Sequence, residues 1–219
     1  MKASHEHEWE AAPGLPSALP AGERVVWQGA PNWRSLAIHA FHVPKIAIYF
    51  SLMLALQAIN LTTPSSDLDW KPLLVAASLY IVALGLLMGT AWMSAHSTLY
   101  TLTNKRVVMR IGIVLTLTFN LPFKRLAGAS LKPYAKGMGD IALALQPEDR
   151  IGWAHLWPHQ RAWYINHPQP TLRCVPDAEQ VGQLLQTLWR DACANEGLRL
   201  TDGATEPDAA SHSQPGVIA

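Results

Sequence analysis

The run from Leu73 to Ala95, LLVAASLYIVALGLLMGTAWMSA, constrains the rest of the chain: it is 23 consecutive residues without Asp, Glu, Lys, Arg or His. At about 1.5 Å of rise per helical residue it can cross the roughly 30 Å hydrocarbon core of a bilayer. A soluble helix of this length would show a polar face, so the run reads as a transmembrane helix. Trp70 and Trp92 stand near its two ends, where amphipathic rings settle at headgroup level. A second run, Ile46 to Leu61, has 16 residues and includes Ser51 and Gln57. Phe41 to Lys45 extend it, with Lys45 able to reach toward water. Only the ten residues Thr62 to Lys71 join the two runs. That is a hairpin connection, and both outer ends therefore face one compartment.

Charge says which compartment. The connection carries Asp67, Asp69 and Lys71, whereas His96 to Gly139 holds seven Lys or Arg and no acid, and Arg34 and Lys45 flank the first run on the same side. The bias of Lys and Arg toward cytoplasmic segments puts both termini in the cytoplasm of a multi-pass inner-membrane protein. The N-terminal residues have no apolar core followed by a small-residue cleavage site, so no removable signal peptide is expected. With 49% hydrophobic residues and a net charge of +1, the chain is neither disordered nor a nucleic-acid binder. Cys174 and Cys193 form no C-x-x-C pair and are expected as reduced thiols.

Small residues recur four apart in the hairpin: Ala47, Ser51 and Ala55 on the first helix, Gly85 and Gly89 on the second. Such spacing lets helix backbones approach closely in lipid, within the hairpin, in a homodimer or against a partner's helix. Upstream, Met1 to Gly22 reads as a flexible leader, and ERVVWQG from Glu23 as a strand that could join the folded domain. After Ala95 the period changes from helix to strand. Six short strands are expected: Ser97 to Thr103, Arg106 to Ile113, Leu115 to Phe123, Ala129 to Tyr134, Asp140 to Leu145 and Ile151 to Leu156. The apolar tract Ile111 to Phe123 is too short for a further span, and Thr116, Thr118 and Asn120 interrupt it. The segment WPHQRAWYINHPQPTLRCVP, rich in Pro and aromatics, carries no clear period. A helix then starts at Asp177, with Gln180 placed as in a capping box. Val181, Leu184, Leu185, Leu188 and Ala192 fall on one face of it. The acids of the folded region are expected at turns or in this cap, and Asn195 onward as a tail without a packing face.

A small antiparallel barrel capped by one amphipathic helix is the plan of the pleckstrin-homology fold. YTLTNKRVVMRIGI, LPFKRLAGASL and KGMGDIALAL resemble its bacterial membrane-anchored branch over about residues 97 to 145. Four longer words, GERVVWQGAPNWRSLAIHAFHVPKIAIYF, YTLTNKRVVMRIGI, TFNLPFKR and HLWPHQRAW, resemble the PuhB family of purple phototrophic bacteria over about residues 14 to 190. The resemblance implies a non-enzymatic assembly factor for the photosynthetic reaction centre and its core light-harvesting complex, in the cytoplasmic or intracytoplasmic membrane. Its partners would be reaction-centre and core-antenna subunits or other assembly factors. It brings no catalytic residues.

The expected division is a leader (1–22), a cytoplasmic pre-membrane segment (23–43), a two-helix membrane hairpin (44–95), a cytoplasmic pleckstrin-homology-like domain (96–194) and a disordered tail (195–219). Two groups of residues are candidates for binding a partner or lipid. Lys105, Arg106, Arg110, Lys124 and Arg125 would draw anionic lipid if held under a membrane, at about 1 kcal/mol each. His155, Trp157, His159, Arg161 and Trp163 would form an aromatic and cationic contact surface. His155 and His159 could ligate a metal or bacteriochlorophyll only on a helix, which Pro158 disfavours. No metal, cofactor or catalytic motif is expected: the chain has no G-x-S-x-G, P-loop, H-E-x-x-H or Gly-rich dinucleotide turn. Three readings follow. They are the assembly factor, a general membrane-tethered module binding lipid or protein, and a bacteriochlorophyll carrier.

Overall fold

Both apolar runs are helical in the computed structural model, which describes residues 15, 19–61, 69–149, 151–162 and 164–203, the last nine by backbone alone. Most of the expected leader, the connection from Thr62 to Leu68, Trp163 and the chain beyond Gly203 lie outside the described residues. Helix α2, Val43–Leu61, has 19 residues and none of them is buried. Helix α3, Lys71–Ser97, has 27, with Pro72 in its first turn, where a missing N–H costs nothing. Both are long and apolar enough to cross a membrane. Only Ala91, Ser94 and Ala95 of α3 are buried, so its last turns sit inside the protein while the rest exposes Leu, Ile and Val.

The segment before α2 is more than a lead into the membrane. Strand β1, Val25–Gly29, is followed by a short helix α1, Trp33–His39. Asn32 caps α1, its side-chain oxygen accepting from the Ser35 N–H at 3.1 Å. Leu36, Ala37 and Phe41 then bury against Ala91 and Ala95 of α3 and against Cys174.

Beyond α3, strands β2 (Leu99–Thr103), β3 (Arg106–Ile111) and β4 (Leu117–Pro122) run antiparallel, and β1 adds to β2, giving the order β1-β2-β3-β4. The 3₁₀ turn Phe123–Arg125 carries the chain into a second sheet. That sheet comprises β5 (Leu126–Pro133), β6 (Gly139–Leu145) and β7 (Thr171–Val175) in that order. The expected barrel is therefore not closed. Among the described residues β4 pairs only with β3 and β5 only with β6, because the turn after Pro122 lifts the chain from one sheet to the other. Helix α5, Ala178–Gly203, packs Ala178, Val181 and Leu185 onto the core built by Tyr100, Leu102, Met109, Phe123 and Leu143.

Several expectations are corrected. Ile151 to Leu156 is not a strand: it holds a one-turn helix α4, Trp153–Leu156, whose Leu156 is fully buried. The seventh strand lies in the Pro-rich segment instead, after Pro170 forms a single bridge with Gln160. Asp177 takes a left-handed conformation (φ 50) and accepts the Val181 N–H through its backbone carbonyl, not the extended conformation of a capping box. Leu184 is only half-buried and stands outside the core, whereas Leu188 and Ala192 pack against it. The helix also runs on to Gly203, past the Asn195 at which a tail was expected.

Candidate functional site

Among the described residues, most of the buried polar groups collect where α1, the end of α3 and the second sheet meet. His159, fully buried, is held there by backbone bonds on both sides of the Gln160 bridge, with the Thr171 N–H donating to its carbonyl at 2.9 Å. Its Nδ1 lies 2.6 Å from the Tyr100 hydroxyl; its Nε2 lies 3.0 Å from Thr98 Oγ1 and 3.2 Å from Ser94 Oγ. The network fixes the proton positions. Tyr100 Oη accepts the Arg173 backbone N–H at 3.1 Å, so its own proton points to Nδ1. Nε2 then carries the imidazole proton. Thr98 spends its proton on the Ser94 carbonyl at 2.7 Å and is left to accept from Nε2.

A second group continues the first. Asp140 Oδ1 accepts the Cys174 N–H at 2.8 Å, and Oδ2 accepts the Tyr134 hydroxyl at 2.7 Å and faces Arg173 Nε at 3.1 Å. The Arg173 guanidinium also donates to the carbonyls of Gln160 (2.9 Å) and His39 (3.2 Å). The His39 ring stacks on Tyr134 at 3.8 Å. The Asn32 N–H completes the tie between α1 and β7 by donating to the Cys174 carbonyl at 3.0 Å. Asp140 can stand here because Gly139 precedes it: a Cβ at 139 would lie 2.8 Å from Ala178 Cβ and 2.9 Å from the Lys132 carbonyl oxygen.

Electrostatics follow from burial. Loss of solvent, with the positive Arg173 nearby, pushes the His159 imidazole down to about 3. Burial pushes the Cys174 thiol up to about 12, with the Asp140 carboxylate adding to the shift. The phenols of Tyr100 and Tyr134 are raised by burial too, and His39 is lowered by it. His159, Cys174 and the two phenols are thus held in single protonation states across the physiological range. Ser94 and His159 have the chemistry of a nucleophile and base, but the proton on Nε2 faces Ser94, so the imidazole cannot accept from it. The arrangement joins α1 and the end of α3 to the sheets.

The residues singled out from sequence fare differently. Arg106 opens β3 and grips Glu23 with two bonds, Nε–Oε1 at 2.6 Å and Nη2–Oε2 at 2.9 Å. Lys105 is exposed in the β2–β3 turn, Lys124 is exposed, and Arg125 pairs with Asp149. Arg106 lies opposite Pro122, so these four basic residues share one end of the first sheet, whereas Arg110 lies opposite Leu99, at the end where α3 enters. Five residues of β2 separate the two ends, about 17 Å at 3.4 Å each and well beyond the roughly 8 Å screening length in physiological salt. Strand direction thus sets Arg110 apart from the other four candidates.

His159 is likewise interior and not part of a contact surface, and neither ring nitrogen is left for a metal or pigment. His155 is exposed, and Trp157 is half-exposed with its ring 5.6 Å from Phe41. Arg161 bonds Gln169 and Ser130 and lies 4.5 Å over the Tyr164 ring. Trp163 lies outside the described residues. In the hairpin, Tyr80 reaches across to the Ala47 carbonyl (3.2 Å) and the Ser51 hydroxyl (3.1 Å). Ala55 is exposed. A Cβ on Gly85 or Gly89 would meet nothing within 4 Å, so the two glycines do not mediate the α2–α3 contact. Among the described residues no group of three His, Cys, Asp or Glu could hold a metal ion.

Sequence reading missed Tyr100, Asp140 and Arg173. The word Gly-Asp-Ile signalled Asp140, since an acid entering an apolar strand needs a buried cation. Arg173 between Leu172 and Cys174 was the complementary signal.

Comparison with known proteins agrees with this architecture. An uncharacterized 23.7 kDa protein in the puhA 5′ region of Rhodobacter capsulatus is 37% identical over 192 residues, which cover 83% of this chain and 86% of that one. No solved structure matches. Residues 45–189, most of the chain, match the family described as the bacterial PH domain, and the chain belongs to that family.

Proposed function

We propose that this chain is a non-enzymatic membrane assembly factor for the photosynthetic reaction centre and its core light-harvesting complex. In this reading α2 and α3 span the inner membrane, both termini are cytoplasmic, and the hairpin and the domain together dock with reaction-centre or antenna subunits. The observation that carries it is the 37% identity to a protein of the puhA 5′ region, alongside the words that resemble the PuhB family. Two features of the fold support a scaffold role. The apolar flanks of α2 and α3, including Ile48, Leu52, Leu74 and Leu86, need lipid or partner helices to cover them. The buried junction ties the end of α3 and α1 to the sheets, so a partner held by the hairpin would lie beside the domain.

The test is affinity purification of the full tagged chain from solubilised photosynthetic membranes. Reaction-centre or core-antenna subunits should be enriched over a membrane protein of similar abundance; recovery equal to that control would count against the proposal. The broad reach of the family match favours one rival, a membrane-tethered PH-like module that binds lipid or another protein outside photosynthesis. That rival predicts the same membrane location without the enrichment.

A further inference from the structure

The apolar tract Ile111 to Phe123 has no role in the account so far. It is too short to cross a bilayer, yet its middle is a turn where polar residues are the rule. β3 ends at Ile111, β4 begins at Leu117, and these two residues pair with each other. The five residues between them close the hairpin, and within them Val114 is 90% exposed and Leu115 78%. Gly112 makes the loop possible: its φ is +125, and a Cβ there would collide with the Leu115 carbonyl oxygen. The backbone thus fixes a loop that holds two branched aliphatic side chains out of the protein.

Strand register places this tip. Leu99, two residues after α3 ends, pairs with Arg110, so residues 112–116 project beyond the start of β2, on the side from which α3 arrives. The last part of α3 touches β3. The other membrane-length helix enters at the same end: Gly29, at the close of β1, pairs with Tyr100, and from there α1 leads to α2. Trp157, half-exposed beside Phe41 at the entry to α2, adds an amphipathic ring of the kind found at headgroup level. One end of the molecule therefore gathers both helix entries, an exposed Trp and the aliphatic tip, while Lys105, Arg106, Lys124 and Arg125 occupy the other.

We infer that the Gly112–Thr116 tip is a third membrane contact, with Val114 and Leu115 inserted into the headgroup and upper acyl region of the bilayer that α2 and α3 cross. The inference rests on reading α2 and α3 as spans. The occupant is lipid and not protein because residues 111 to 117 offer no charged side chain for a partner to recognise, and because the tip sits beside the helix entries. The contact would fix the tilt of the domain over the membrane.

The test uses the full chain in a Cys193→Ser background, since Cys174 is buried. It is reconstituted in phosphatidylethanolamine–phosphatidylglycerol vesicles with an environment-sensitive dye at V114C, L115C, K105C or L86C. In the vesicles the V114C and L115C emission should lie to the blue of K105C and be quenched by shallow nitroxide-labelled lipids, with K105C unquenched and L86C quenched by lipids labelled deep in the acyl chain. Quenching at L86C but water-like emission at both tip positions would overturn the tip contact and leave the spans intact. Loss of quenching at L86C as well would overturn both readings. A blue shift at V114C without lipid quenching, rising with protein density in the vesicle, would assign the tip to a second protein copy and overturn the lipid contact.

Discussion

Asp140 and Arg173 form an ion pair with side chains about nine-tenths buried. Removing one partner of such a pair strands the other charge in a low-dielectric site, at a cost of about 3–5 kcal/mol. Arg173→Met should therefore destabilise the full chain in detergent by that order. Combining it with Asp140→Asn should recover part of the loss, and denaturant unfolding of the three variants measures the coupling. Additive losses would mean that the pair does not hold the junction. His159 gives a pH signature. Its folded-state value of about 3 lies below the 6.5 of an exposed imidazole, so the unfolded chain takes up a proton that the folded chain refuses. Stability should then fall as pH drops through about 6 toward 3, by about 1.4 kcal/mol per unit, and be untouched by this group above pH 7. His159→Asn should flatten that slope while costing about 1–3 kcal/mol near neutrality for the hydroxyls left unpaired. Thermal unfolding across pH 4–8 reads both effects; identical slopes would show that His159 is not buried neutral. The sequence carried a local signal for Asp140 and Arg173 but none for the network, for a physical reason. A buried polar network is built from residues far apart in the chain, His39, Tyr100, Asp140, His159 and Arg173, and no local period shows which of them meet.

Single elements were more legible where a period governs them. The apolar runs gave both long helices, and short apolar stretches between polar turns gave β2 to β6 to within a few residues. Period failed in two places. Residues 151–156, expected as a strand, form a helical turn that sinks Leu156, and β7, where Thr171 and Arg173 alternate with Leu172 and Cys174, was masked by the flanking Pro168, Pro170 and Pro176. On α5 the pattern was right but one position was misjudged. Leu185→Ala should cost about 2–5 kcal/mol, as for a fully enclosed leucine, and Leu184→Ala less than half of that. Equal losses would mean that the helix presents a different face. The α1 cap is a smaller lever: Asn32→Ala should cost about 0.5–2 kcal/mol and loosen the α1–β7 tie, detected as faster amide exchange at Ser35 and Leu36.

At the scale of the whole molecule, the chain is a pair of membrane-length helices locked to two small sheets through one buried junction. Strand direction sorts its surface: the aliphatic tip and Trp157 lie at the helix-entry end with Arg110, and Lys105, Arg106, Lys124 and Arg125 at the other. The sequence suggested the parts of this polarity but not their arrangement, because a positive charge near a membrane helix in the chain need not lie near it in space. The central claim is that this body serves assembly of the photosynthetic complex. The most direct measurement is the near-infrared absorption of membranes from cells lacking the chain, beside the parent and a complemented strain. The account predicts that reaction-centre and core-antenna bands fall while pigment synthesis continues, and that complementation restores them. An unchanged spectrum would contradict it and leave the general membrane-tethered module as the better reading.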